Sequence, residues 1–274
     1  MVKLFKLLKN VEFKLLSGKI DAEVLSLEDN SKNCKNGSLF FAIRGTKING
    51  EEFIENAIGN GAAAVVVETE LEYLEKYAEV AIILVKSVRK CVGIISKNFY
   101  CPENYRFKTI GITGTNGKTT TSFMIAGGLE LLNKNICVVG TSGIFVNGKC
   151  LKGEALTTPD PIELYSLFGF LNSIGVDYLV MEVSAHALDL YKTEGVIFDY
   201  AIFSNLTEDH LDYFKTMKKY GDAKQKLFEI SKSKIAIINT SDEFGLKLAQ
   251  NRKTGLITYG ECESEYKICQ GSNK

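Results

Sequence analysis

The chain has 274 residues, 45% of them hydrophobic, enough for one large or two modest globular domains. Lys plus Arg and Asp plus Glu each total 33, so the formal net charge is zero. That balance argues against bulk attraction to nucleic acid or an anionic membrane and favours a small-molecule substrate. The seven cysteines (Cys34, Cys91, Cys101, Cys137, Cys150, Cys262 and Cys269) are odd in number and lack C-x-x-C spacing. A disulfide framework or zinc ribbon is therefore unsupported, and reduced thiols in a cytoplasmic protein are expected.

In chain order, residues 1–9 interleave lysines with leucines, which suits a short amphipathic helix rather than a signal peptide. No apolar run is long enough to span a bilayer. Residues 38–43 (SLFFAI), 62–67 (AAAVVV) and 80–85 (VAIILV) read as strands, with a helical stretch over 51–60. This alternation predicts a small N-terminal α/β domain over residues 1–103. The polar, proline-bearing segment 101–106 reads as a linker.

A second domain, 104–274, opens with a strand over 109–113 and a helix from 118 to 133. Further buried-strand patterns fall at 136–140, 178–183, 200–204, 235–239 and 255–259, with helical patterns at 161–174 and 215–230. Near-continuous apolar strands alternating with helices predict a mostly parallel sheet covered on both faces. Ligands of such sheets bind beyond the C-terminal strand ends. The tail from 261 has weak patterning.

At the first of those ends, residues 111–121 read GITGTNGKTTT. A glycine-rich turn closing in Gly117-Lys118-Thr119 at a strand–helix junction is a phosphate-binding device. Backbone N–H groups and the helix N-terminus face the anion, Lys118 neutralises it, and the Thr119 hydroxyl can hold Mg²⁺. The spacing is a variant, because Ile112 stands where the common pattern has its first glycine.

Later strand ends carry further candidates. Glu182 is either a ligand for Mg²⁺, which prefers hard oxygens, or a solvent-facing strand terminus. His186 and His210, both in polar loops after buried strands, are the chain's two histidines. Their placement shifts the reading from structural towards functional. Thr157, Thr158 and Asp160 precede Pro161, and their default role is to cap the helix that follows. Lys224 sits on a mostly polar helix, where composition alone makes it a surface lysine.

Taken together, these segments resemble the Mur ligase family, the ATP-dependent amide-bond ligases of peptidoglycan precursor synthesis. The matching segments are TGTNGKTT (113–120), TTPD (157–160), EVSAHAL (182–188), FDYAIFSNLTEDHLDY (198–213) and AKQKLF (223–228). In the first region, NSK (30–32) followed by GSLFFAIRG (37–45) is similar to the family's uridine-nucleotide domain. Within the family, the resemblance is to the type that adds the third amino acid to UDP-N-acetylmuramoyl-L-alanyl-D-glutamate.

The resemblance implies ATP phosphates on Gly114, Thr115, Asn116, Gly117, Lys118, Thr119 and Thr120. It implies Mg²⁺ on Thr119, Glu182 and His210, and substrate contacts from Ser31, Thr157, Thr158, Ser184 and Lys192. Lys118, Lys224 and His210 would serve catalysis, with Lys224 carrying a CO₂-derived carbamate that turns a repelling cation into a metal-binding anion. The partners would be the UDP-muramoyl-dipeptide and a free amino acid, with neither nucleic acid nor membrane insertion. Lys32 and Lys192 stand where arginines are usual, Ala185 replaces a serine, Asn49 an aspartate and Glu208 an arginine. The family's third, C-terminal ligase domain has no counterpart here, so the chain reads as a fragment or short form. A binding module without ligase activity, and a folate- or peptide-type ligase, are the alternatives.

Overall fold

The computed structural model of the chain describes residues 1–45, 48–70, 74–153, 156–261 and 264–267. Its contacts separate into two units. One comprises Met1–Tyr105, Asp160–Phe170 and Tyr191–Gly195, and the other comprises Arg106–Pro159, Leu171–Leu190 and Val196–Lys274.

The first unit contains β1 (Val2–Lys3), α1 (Leu4–Leu7), β2 (Phe13–Ser17), β3 (Glu23–Val24), β4 (Ser26–Glu28), β5 (Ser38–Phe41), α2 (Ile54–Gly59), β6 (Ala62–Val67), β7 (Ala81–Val85) and α3 (Val88–Tyr100). Five strands form a sheet in the order β2-β7-β6-β5-β4, parallel except for the edge strand β2. Alternate residues feed two cores, as the period of a strand requires. Leu39, Phe41, Val66 and Ile83 pack with Leu4, Leu7 and the Val88, Val92 and Ile95 stripe of α3. Phe40, Val65, Val67 and Ile82 pack with Ile54 and Ala57. The expected N-terminal helix shrinks to the four residues of α1, because Val2 and Lys3 pair with β3 instead.

The second unit runs β8 (Lys108–Thr113), α4 (Lys118–Glu130), β9 (Ile136–Gly140), β10 (Gly143–Val146), β11 (Lys149–Gly153), α5 (Pro161–Ser173), β12 (Tyr178–Glu182), α6 (Ala185–Asp189), β13 (Phe198–Phe203), α7 (Leu211–Phe214), α8 (Met217–Gln225), β14 (Ser233–Asn239), α9 (Glu243–Gln250), β15 (Leu256–Gly260) and β16 (Tyr266–Lys267). Most of α5 groups with the first unit. The nine strands are ordered β11-β10-β9-β12-β8-β13-β14-β15-β16. From β9 to β16 every pairing is parallel, and the β10–β11 hairpin extends the sheet antiparallel.

After β8 the chain moves out to β9, returns to fill the gap with β12, and then crosses to β13 on the other side of β8. That reversal is a topological switch point, where the loops leaving neighbouring strands diverge and leave a crevice. The helix expected over 215–230 begins only at Met217 and ends at Gln225 as α8, followed by a 3₁₀ turn over Lys226–Phe228. Lys215 takes a left-handed φ of 66°, and Thr216 starts α8 by accepting a hydrogen bond from Lys219 N at 3.2 Å. The weakly patterned tail contributes β16, and Cys262 and Cys269 lie outside the described residues.

Candidate functional site

The crevice at the switch point is built from three successive strand ends. β8 runs directly into the glycine loop, whose last member, Gly117, adopts a left-handed φ of 84° before α4 begins. An L side chain is strained there, so glycine is the residue that allows the sharp entry. Gly114 is constrained differently: a Cβ would collide with the Ser204 hydroxyl beyond β13.

That approach lets the β13 loop clamp the glycine loop. Thr115 N donates to Asn205 O at 2.9 Å, and Asn116 N donates to Asn205 Oδ1 at 2.9 Å. Ser204 Oγ donates to Asn116 O at 2.8 Å. The buried Thr115 hydroxyl accepts from Thr207 N at 3.0 Å and lies 3.3 Å from the Tyr220 hydroxyl. The next strand end supports this loop in turn. Asn239 Nδ2 donates to Ser204 O at 2.8 Å, and Asp242 accepts from Leu206 N at 2.8 Å while capping α9 through Gly245 N.

Glu182 closes β12 and is 1% exposed, which overturns the solvent-facing alternative. Its Oε1 accepts from Thr119 Oγ1 at 2.8 Å and Thr141 N at 3.2 Å, and its Oε2 from Thr141 Oγ1 at 3.3 Å. Gly140 leaves room for it, since a Cβ there would overlap Oε1. Thr157 Oγ1 lies 3.0 Å from Thr141 Oγ1. Thr158 does not cap α5. Its buried hydroxyl donates to Glu182 O at 3.0 Å and accepts from Ser184 N at 3.1 Å, tying the β12 exit in place. Ser184 caps α6 through Ala187 N at 3.1 Å.

Lys118 and Lys224 meet at one oxygen. Lys118 Nζ donates to Gly114 O and Thr115 O, both at 2.9 Å, and Lys224 Nζ donates to Gly114 O at 2.8 Å. Lys224 is 1% exposed, so the surface reading drawn from its polar helix is wrong. Its ammonium sits 4.4 Å from the centre of the Tyr220 ring. Burial, then repulsion from Lys118, brings its pKa from 10.5 down to about 7, against a smaller upward pull from Asp209. Burial also lowers Lys118, opposed by Glu182 and Asp209.

His210 adopts a left-handed φ of 53° at the start of α7, with Asp209 Oδ2 3.5 Å from its Nε2. Its ring stacks edge-on with His186 at 4.8 Å and lies 5.9 Å from Tyr220. The structure thus brings His210 to the Tyr220–Lys224 side of the crevice. Among the described residues no contact joins it to Glu182 or Thr119. Thr120 is exposed on the first turn of α4.

Ser31 and Lys192 belong to the first unit. Ser31 is 5% exposed, and its carbonyl accepts from Asn60 Nδ2 at 3.0 Å. Its hydroxyl has no partner among the described residues. Lys192 pairs with Asp160 at 2.8 Å. Burial, reinforced by Asp160, pushes the nearby Asp29 carboxyl up.

The oxygens gathered around Glu182 are the hard donors that Mg²⁺ takes. Among the described residues no group of three or more His, Cys, Asp or Glu converges to hold a metal unaided. The donors therefore fit an ion shared with phosphate oxygens and water. Thr141, Asn205, Thr207, Tyr220 and Asp242 were not singled out from the sequence. Asn205 and Thr207 lie inside the family-like segment 198–213, and the position of Thr141 just after β9 at the same sheet edge is the available signal.

Residues 112–273 match the model of the Mur ligase middle domain, and residues 26–100 match that of the Mur ligase family catalytic domain. The UDP-N-acetylmuramoyl-L-alanyl-D-glutamate--2,6-diaminopimelate ligase of Clostridium tetani is 36% identical over 258 residues, covering 94% of this chain and 53% of that protein. The ligase of the same name from Aquifex aeolicus is 40% identical over 232 residues, covering 85% and 47%. A solved structure of a ligase of this name superposes with a TM-score of 0.80 at 26% identity, covering 97% of this chain and 53% of its own. A MurF structure from Acinetobacter baumannii, at 20% identity and TM-score 0.64, covering 95% and 53%, shares the fold. The chain spans about half the length of the curated relatives it matches.

Proposed function

Given that this chain belongs to the Mur ligase family, we propose that it carries the nucleotide and muramoyl-peptide sites of an ATP-dependent ligase. That ligase adds the third amino acid to UDP-N-acetylmuramoyl-L-alanyl-D-glutamate. The relatives' names point to 2,6-diaminopimelate as the incoming amino acid. The observation that carries this reading is the convergence of the glycine loop, Glu182 with its threonines, and the buried Lys224 at one switch point.

In the proposed reaction a substrate carboxylate oxygen attacks the γ-phosphorus of ATP and ADP leaves. The amine of the incoming amino acid then attacks the acyl phosphate, forming the amide and releasing phosphate. Such transfers depend mainly on alignment and on neutralising spread negative charge. The N-terminus of α4 and the loop N–H groups would receive the phosphates, with Lys118 leaving the carbonyls of Gly114 and Thr115 to reach them. Losing one such contact costs about 3 kcal/mol, roughly a hundredfold in rate. Thr119 and Glu182 would hold Mg²⁺, which supplies charge neutralisation at the phosphates when bound, and His210 would join them as a further ligand.

A pKa of about 7 leaves much of Lys224 as free amine near neutrality. The amine nitrogen can add to the carbon of CO₂, losing a proton and giving a carbamate. This converts the cation beside Gly114 O into an anion suited to a metal or to the Lys118 ammonium. Thr157, Thr158, Ser184 and Lys192 would serve the muramoyl-peptide. The free hydroxyl of Ser31 would serve its uridine end, making the first unit the UDP-substrate domain and the second the ATP domain.

A cytoplasmic location suits these substrates and the thiols. Burial lifts Cys34, Cys91 and Cys101 to about 11 and Cys137 to about 12, which keeps them protonated and unreactive. No helix among the described residues is long and apolar enough to cross a membrane.

The test is incubation of the chain with ATP, Mg²⁺, UDP-muramoyl-dipeptide and either 2,6-diaminopimelate or L-lysine. UDP-muramoyl-tripeptide appearing with equimolar phosphate, and lost in Lys224→Ala, supports the proposal. Saturable binding of both substrates without phosphate release supports a binding module instead. Absence of binding to either substrate overturns both readings.

A further inference from the structure

The opposite end of the second unit's sheet holds a second polar cavity. It has a volume of about 410 Å³ and opens at the N-terminal ends of β8 and β12, lined by Arg106, Lys108, Lys134, Asn172, Asp177 and Tyr178 among others. β8 is six residues long, so its two ends, and hence this cavity and the glycine loop, lie roughly 20 Å apart.

Three cations face one carboxylate in the cavity, although the whole chain is neutral. The carboxylate is already engaged, since Asp177 Oδ2 accepts from Asn135 N at 2.9 Å. Lys108 shares Asp199 with Lys234, at 3.4 and 2.8 Å. The Arg106 guanidinium and the Lys134 ammonium have no hydrogen bond or ion pair among the described residues. Asn172 accepts from Arg106 N at 3.1 Å through Oδ1, which leaves its amide N–H₂ as a donor.

The floor is fixed by strand-end hydrogen bonds. Lys108 N donates to Asp177 O, and Asp177 N to Asn135 O, at 2.9 and 2.8 Å. The floor therefore stands on rigid strand ends, and Arg106 and Lys134 each lie two residues before one of them, β8 and β9. A planar guanidinium and an ammonium lining one cavity suit a phosphate group, and the aromatic residue Tyr178 lines the same cavity. A nucleic-acid backbone would need a longer basic stripe. The volume lies in the range of small-molecule sites.

We propose that this cavity binds a small phosphate monoester, with Arg106 and Lys134 on the phosphate and Tyr178 against the organic part. The test uses ribose 5-phosphate and inorganic phosphate as probes. Each is titrated by calorimetry into the Lys118→Ala chain, so that the glycine loop does not contribute, at constant ionic strength set with potassium chloride. The expected result is saturable binding of ribose 5-phosphate, weakened at least tenfold by adding Arg106→Ala and Lys134→Ala. Both residues are exposed, so these changes leave the fold intact, which circular dichroism checks. Absence of saturation, or equal affinity with and without the two substitutions, overturns the site. Inorganic phosphate binding as tightly as ribose 5-phosphate overturns the role given to Tyr178.

Discussion

Replacing Lys224 by methionine removes a charge that the fold holds out of water. The side chain is 1% exposed, and burial followed by Lys118 brings its pKa from 10.5 to about 7. Between those two values the unfolded chain binds more protons than the folded one, so stability rises with pH across that window. The penalty is fully present below the folded value and fades as pH climbs towards the unfolded one. At 1.36 kcal/mol per unit, this group alone returns about 3 kcal/mol to the wild type between about pH 6 and pH 9.5. Methionine does not titrate and fits a similar volume. Gly114 O keeps its bond from Lys118 at 2.9 Å. The variant should therefore exceed the wild type in stability most at about pH 6, by a margin that shrinks by about 3 kcal/mol at about pH 9.5. Urea unfolding followed by far-ultraviolet circular dichroism in CO₂-free buffer measures both profiles. Parallel profiles for wild type and variant would refute the reasoning, because they would mean that Lys224 keeps an ordinary pKa in the folded chain.

Gly140→Ala drives a methyl group into Glu182 Oε1; it should cost about 1–3 kcal/mol in thermal stability and weaken Mg²⁺-dependent nucleotide binding. Equal magnesium dependence in variant and wild type would count against Glu182 as the metal carboxylate. Thr158→Val removes both hydrogen bonds at the β12 exit and should destabilise by about 1–3 kcal/mol in urea, since it leaves buried partners unpaired. Asp242→Ala loses the α9 cap and the bond from Leu206 N. It should cost about 1 kcal/mol in stability and raise the dissociation constant for ATP several-fold by calorimetry; unchanged ATP affinity would show that the β13 loop holds its shape without Asp242.

Much of the second unit was legible because its strands are buried on both faces and read as unbroken apolar runs. The helix over 88–100 was equally legible, with Val88, Cys91, Val92 and Ile95 at helical spacing, yet it lay between a strand and a presumed linker and went unread. Asn147-Gly148 is a strong short hairpin signal. Its φ values of 48° and 73° deliver the β10–β11 turn, although the flanking residues lack a clear apolar alternation. The burial of Lys224 was not legible at all. It depends on α8 turning that side chain towards a carbonyl 110 positions earlier in the chain, and neighbouring polar residues gave the opposite impression. Thr158 was read locally as a helix cap, whereas its partners are on β12 and in the turn that follows.

The clamp on the glycine loop has a consequence for synthesis. Residues 113–119 leave the ribosome early in the second unit, but the partners that shape them are about 90 positions downstream. Those partners are braced by Asn239 and Asp242. Until that later segment emerges, the nascent loop has nothing to press against. Nucleotide therefore cannot assist the early stages of folding, and the nascent chain must protect a central strand whose neighbours have yet to be made.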